Sequence, residues 1–147
     1  MGKSEPVRDL TSTINLGPRN TVKDRAELLA QLSDSDRLAI SELPQDRALL
    51  ISLSASGQGQ RLLISEDVTS IGRGVESEIF LSDITVSRRH AQIERSRRGN
   101  SSEFLLRDSG SLNGTYVNNV SQRESKLSSG DEVQIGKFRF LFIRGDK

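Results

Sequence analysis

Beyond about residue 45 the chain breaks into short apolar runs separated by clusters of Gly, Ser, Asp and Asn. The runs are Ala48 to Leu53, Arg61 to Ile64, Val68 to Arg73, His90 to Arg95 and Glu103 to Arg107, followed by Tyr116-Val117, Glu132 to Ile135 and Phe138 to Ile143. Turn signals every eight to twelve residues or so, with no long amphipathic helix between them, predict an all-β sandwich. In the last run Phe138, Phe140 and Phe142 alternate with Arg139 and Leu141. That period of two places three rings on one face of a strand, toward the core.

The segment from Met1 to Pro44 has a different texture. It is polar and turn-forming, with few large apolar groups, and is expected to be a largely disordered tail. Within it Val22, Leu28, Leu29 and Leu32 fall partly on a helical period, and Thr21 with Asp24 supplies a weak cap. A helix of about twelve residues is marginal alone, so this one needs a surface to dock on. The expected organisation is therefore residues 1–44 as a flexible regulatory tail and 45–147 as one folded domain.

Composition supports that division. Only 33% of the 147 residues are hydrophobic and 4% aromatic, lean for a core built from the whole length. A folded part of roughly 100 residues still buries one adequate core. Lys and Arg number 21 against 20 Asp and Glu, so a net charge of +1 gives no pull toward nucleic acid or an anionic membrane. The absence of cysteine excludes disulfides, thiolate metal sites and cysteine nucleophiles. With no apolar run near the roughly 18 residues of a membrane span and no secretory signal in Met1 to Arg8, a cytoplasmic location is expected. No metal or other cofactor is expected.

Candidate chemistry concentrates between Ile71 and Thr115. Arg73 and Arg88 offer planar forks of donors, and Ser87 and Asn113 offer neutral ones, the mixture a phosphate group needs. Gly72, Gly74 and Gly114 flank these residues and permit turns or close approach. The competing reading of Arg73 is an ion pair with Glu76 or Glu78. Ser87 and the single histidine, His90, also invite comparison with a nucleophile and its base, but no orienting carboxylate or oxyanion pocket accompanies them, so the chain is not read as an enzyme. Arg88, Arg89, Arg95, Arg97 and Arg98 form a basic run without interleaved aromatics, a poor nucleic-acid surface. Arg95 to Arg98, followed by Gly99-Asn100, reads instead as a solvated hairpin.

Taken together, Gly72-Arg73, Ser87 with His90, Asp108-Ser109-Gly110-Ser111, Asn113-Gly114-Thr115 and Gly130-Asp131 resemble a forkhead-associated (FHA) domain over about Asp46 to Ile143. The resemblance implies a β-sandwich of two antiparallel sheets and about eleven strands with ligand loops at one end. It further implies that Arg73 and Ser87 bind a phosphothreonine, Arg88 assists, Asn113 holds the peptide backbone, and Ser111 and Leu112 line the same loop. Gly72, His90 and Gly114 would support the site, His90 as a buried structural group. Leu112 stands where some relatives have a polar residue.

The tail adds Thr11 and Thr13, each with an aliphatic residue three places on, Ile14 and Leu16. That arrangement, with the run from Ile79 through Asn118 and Gly130 to Arg139, is similar to small actinobacterial FHA regulators of 2-oxoglutarate metabolism. The similarity implies phosphorylation of the tail by a Ser/Thr protein kinase and closure of the domain on its own phosphorylated tail. The implied partners are that tail or phosphothreonine-containing proteins. In the same group the unphosphorylated form inhibits 2-oxoglutarate dehydrogenase, a phosphorylation-independent mode that is the alternative reading here.

Overall fold

The computed structural model describes residues 30, 32–53, 60–99 and 101–147. Among the described residues the helix α1 (Asp34–Ser41) precedes eleven strands: β1 (Ala48–Ser52), β2 (Arg61–Ile64), β3 (Val68–Gly72), β4 (Ile79–Phe80), β5 (Ala91–Arg98) and β6 (Ser101–Asp108). They continue with β7 (Thr115–Val117), β8 (Val120–Ser121), β9 (Glu124–Leu127), β10 (Glu132–Ile135) and β11 (Phe138–Arg144). One sheet has the order β9-β6-β5-β3-β4 and the other β2-β1-β11-β10-β7-β8. The expected sandwich of two antiparallel sheets is present with one exception. β3 and β4 pair in parallel, Ile71 beside Ile79 and Gly72 beside Phe80.

The core lies between the sheets. Phe104 of β6 meets Phe142 of β11 edge to face at 5.6 Å between ring centres. Phe140 and Phe142 are buried and Phe138 packs half-buried against the same cluster, as their alternation predicts. β1 is buried along its whole length, which follows from a run, Ala48 to Ile51, that is apolar at every position. Ala48 and Leu50 face the other sheet. Leu49 and Ile51 face outward into a second cluster with Leu141, Ile143, Leu32 and Leu43.

That outer cluster draws in part of the segment read as tail. Leu32 and Leu43, on either side of α1, are buried against the six-stranded sheet. A capping box starts the helix: Ser33 Oγ accepts from the Asp36 amide at 3.0 Å, and the Asp36 carboxylate accepts from the Ser33 amide. Asp36 also pairs with Arg61 of β2 at 2.8 Å, fastening the helix to the sheet edge. Burial pushes the Asp36 carboxyl up, but Arg61 and the Ser33 hydrogen bonds outweigh it and hold the group below the usual carboxylate range. The expected helix at Thr21 to Leu32 lies almost entirely outside the described residues, as do Thr11 and Thr13.

Two ends of the sandwich follow from the registers. Ile71 of β3 faces Ala91 of β5, and Val68 faces Glu94, so Gly72 and the start of β5 share one end. Arg95 lies at the other. The reading of Arg95 as solvated is corrected: its side chain is only 8% exposed, pairs with Asp67 at 3.0 Å and donates to the Asp46 carbonyl at 2.8 Å. It therefore joins the approach to β1 in one sheet to the approach to β3 in the other.

Candidate functional site

Three loops meet at the Gly72 end: residues 73–78 after β3, 81–90 before β5, and 109–114 between β6 and β7. The first two zip together through the backbone. The Arg73 amide donates to the Ser87 carbonyl at 3.0 Å, and the Gly74 amide to the Arg88 carbonyl at 3.1 Å. Gly72 is needed for this approach, since a Cβ there would lie 2.2 Å from the Arg88 carbonyl oxygen.

His90 joins the second loop to the third. It is fully buried; its Nδ1 accepts from the Ser87 amide at 3.0 Å, and its Nε2 lies 2.8 Å from the Gly114 carbonyl. Those partners fix a neutral imidazole with the proton on Nε2, since an amide can only donate and a carbonyl only accept. The Ser87 contact is thus to its backbone and not to its hydroxyl. A Ser87–His90 catalytic pair is absent, because both ring nitrogens are engaged elsewhere.

The third loop is built on Asp108. Its carboxylate accepts from the Gly110 and Ser111 amides at 2.9 and 3.0 Å, from the Thr115 hydroxyl at 2.7 Å, and from the Ser111 hydroxyl. Burial raises its pKa, but the bonds from Ser111 and Thr115 and the two amides win and hold it low. Ser111 passes the order on, its Oγ accepting from the Gly114 amide at 3.0 Å. Gly114 takes φ +87°, the left-handed turn foreshadowed by Asn113-Gly114.

Two further bonds lock loop to loop. Ser87 Oγ accepts from the Leu112 amide at 2.9 Å, and Asn113 Nδ2 donates to the Thr85 carbonyl at 3.0 Å. From below, the β10–β11 turn supports Thr85, whose Oγ1 accepts from the Lys137 amide at 2.9 Å. Asp83 caps this arrangement by accepting from the Thr85 hydroxyl and amide and pairing with Lys137 Nζ at 3.1 Å. The Thr85 hydroxyl, then the Thr85 amide and then Lys137 lower its carboxyl to about 2. Neither Asp83 nor Lys137 was singled out in the sequence, although Asp-x-Thr is a familiar Asx-turn spacing.

Arg73 uses Nε to donate to the Val86 carbonyl at 3.0 Å, which aims the rest of the exposed guanidinium outward. Among the described residues it makes no ion pair. The acids considered as its rivals are placed otherwise: Glu78 accepts from the Ser70 amide and hydroxyl, and Glu76 faces Arg88 at 3.8 Å. The latter pair is 70% and 50% exposed, a contact easily exchanged for a stronger anion. Arg73, Ser87, Arg88, Ser111, Leu112 and Asn113 thus all fall on one loop-covered end, with Gly72, His90 and Gly114 beneath. No cluster of three or more His, Cys, Asp or Glu among the described residues could hold a metal, and no described helix is long and apolar enough to cross a membrane.

Comparison with known proteins agrees with this architecture. Residues 69–136 match the model of the FHA domain. The chain is 43% identical over 146 residues to the oxoglutarate dehydrogenase inhibitor of Corynebacterium jeikeium, covering 96% of this chain and 99% of that protein. It is 43% identical over 130 residues to the glycogen accumulation regulator GarA of Mycobacterium tuberculosis, covering 84% of this chain and 78% of GarA. A solved FHA structure from a study of phosphothreonine-dependent FHA interactions superimposes with a TM-score of 0.61 at 31% identity, covering 69% of this chain and 99% of that one. The chain belongs to the FHA-domain family and stands among its small actinobacterial regulators.

Proposed function

We propose that this chain is a phosphothreonine-reading regulator whose own N-terminal tail is one of its ligands. The observation that carries the reading is the outward guanidinium of Arg73, held by Val86 and without an acidic partner among the described residues, beside the Ser87 hydroxyl and the exchangeable Arg88. A phosphothreonine dianion accepts from all three, while Asn113 holds the peptide alongside and Ser111 and Leu112 shape the neighbouring loop. Ser87 accepts from Leu112 and so retains its own proton to donate. The protein acts by binding rather than by catalysis: both His90 ring nitrogens are engaged in joining the loops, and the Ser111 and Thr85 hydroxyls serve as structural donors to Asp108 and Asp83.

The tail reading rests on Thr11 and Thr13, each with an aliphatic residue three places on. Tethered by some tens of residues, a phosphorylated tail reaches an effective concentration of about a millimolar, so a modest affinity closes the domain on it. A Ser/Thr kinase is the required partner. The expected result of treating the full chain with such a kinase is compaction in small-angle scattering, absent in Thr11→Ala/Thr13→Ala and in Arg73→Ala. Compaction that persists in Arg73→Ala would remove self-closure from the account.

A second reading is supported by the corynebacterial relative, an oxoglutarate dehydrogenase inhibitor matched over nearly its whole length. In it the unphosphorylated chain binds and inhibits a 2-oxoglutarate dehydrogenase, and tail phosphorylation withdraws the shared loop end from the enzyme. Inhibition by the unphosphorylated chain that survives phosphatase treatment of the enzyme distinguishes this mode from phosphothreonine reading.

A further inference from the structure

Asn113 is exposed, and an exposed side-chain amide has no fixed orientation of its own. One hydrogen bond supplies it here. Nδ2 donates to the Thr85 carbonyl at 3.0 Å, which leaves Oδ1 and the second N–H of the amide to face a peptide backbone. The aim of Asn113 therefore depends on where that carbonyl stands, and Thr85 is pinned from two sides. Its amide and hydroxyl donate to the Asp83 carboxylate, and its Oγ1 accepts from the Lys137 amide at 2.9 Å. Gly136, at φ +58°, passes directly against it: a Cβ there would lie 2.5 Å from Thr85 Oγ1 and 2.9 Å from the Thr85 carbonyl oxygen. A turn of the six-stranded sheet thus fixes the carbonyl that aims a residue on the loop between β6 and β7.

We propose that Thr85 is a positioning residue for peptide recognition, acting through Asn113, and that Gly136-Lys137 of the β10–β11 turn sets its place. This rests on the phosphothreonine reading above. The Thr85 hydroxyl gives its proton to Asp83 and takes one from Lys137, so it has no donor left for a phosphate. The phosphate donors are held by other contacts: Arg73 Nε by the Val86 carbonyl at 3.0 Å, and the Ser87 amide by His90 at 3.0 Å. Disturbing Thr85 therefore separates the two halves of recognition. Grip on the peptide backbone is lost while grip on the phosphate remains, whereas a residue that merely stiffened the loop would affect both.

The test uses the unphosphorylated full chain and two probes: a fluorescent peptide copying residues 8–18 with Thr13 phosphorylated, and inorganic phosphate followed by amide shifts at Arg73 and Ser87. Thr85→Val is expected to weaken peptide binding about tenfold and phosphate binding by less than about twofold, with Thr85→Ser restoring the parent values. In an Asn113→Ala background the same Thr85→Val change adds less than about twofold, because the residue it positions is gone. Gly136→Ala keeps the hydroxyl and presses on the carbonyl, and should reproduce the Thr85→Val pattern; it carries the test if Thr85→Val does not fold. An unchanged peptide affinity, equal losses for peptide and phosphate, or a tenfold peptide loss that persists without Asn113 overturns the positioning role. If Arg73→Ala binds the peptide as tightly as the parent, the phosphate site is what fails, and the proposal falls with it.

Discussion

The two ends of this sandwich use arginine in opposite ways. At one end Arg95 is buried and Arg97 is paired, both facing Asp46, and Arg144 donates across the sheets to the Ser102 carbonyl at 3.0 Å. At the other, Arg73 is anchored by one nitrogen and directed into solvent, and Arg88 keeps a loose, exposed contact with Glu76. The same side chain is a clamp where acids and carbonyls converge on it and is left facing solvent where they do not. The difference lies in the backbone: on the loop end, carboxylates such as Asp83 and Asp108 are occupied by hydroxyls and amides and by Lys137, and so are withheld from the arginines.

Substitution of one arginine at each end exposes that contrast most strongly. Arg73→Ala is expected to weaken phosphothreonine-peptide binding by about a hundredfold, roughly 2.7 kcal/mol, with under about 1 kcal/mol lost in urea unfolding. Arg95→Ala should do the reverse, costing about 2 kcal/mol of stability through its lost hydrogen bonds while peptide affinity stays within about twofold. An affinity loss in Arg95→Ala comparable to that of Arg73→Ala would erase the division of labour between the ends.

Gly72→Ala sits between these extremes, because its Cβ would meet the Arg88 carbonyl and force apart the two loops that carry the donors. A loss of about 1.5 kcal/mol in stability is expected, with peptide affinity falling about tenfold, measured by unfolding and anisotropy on one preparation. The smallest effect concerns acid. The Asp83 carboxyl is lowered from 3.8 to about 2, so it stabilises the fold above its unfolded value, and that contribution vanishes as pH falls from about 4 to about 2. Asp83→Asn should flatten stability against pH in that window and lower it by a constant amount between pH 5 and 8, with no new pH dependence there.

Much of this was legible in the chain because its signals are local. Alternation at Phe138 to Phe142, the unbroken apolar run of β1 and the Asn113-Gly114 turn each dictate their own conformation within a few residues. The cationic and neutral donors of the site also stood out. What did not stand out depends on distant partners. Arg95 reads as solvated until Asp46 and Asp67 arrive from the segments leading into β1 and β3, and Asp83 reads as a turn residue until Lys137 reaches it across the sandwich. α1 is short and nearly without apolar periodicity, and it is held by flanking leucines and by Asp36 on Arg61; its Ser33-x-x-Asp36 cap was a signal the sequence reading passed over. The strands Val120–Ser121 and Glu124–Leu127 were missed for the same reason, since their mostly polar residues form edges paired on one side.

The most direct measurement is an amide-resolved NMR titration of the full unphosphorylated chain with one phosphothreonine peptide and its unphosphorylated twin. The expected result is saturable shifts at Arg73, Ser87, Arg88 and Asn113 with the phosphopeptide alone, while Arg95 and its neighbours stay still. Equal shifts with both peptides, or shifts centred on the Arg95 end, would contradict the assignment of the loop end as a phosphothreonine receptor.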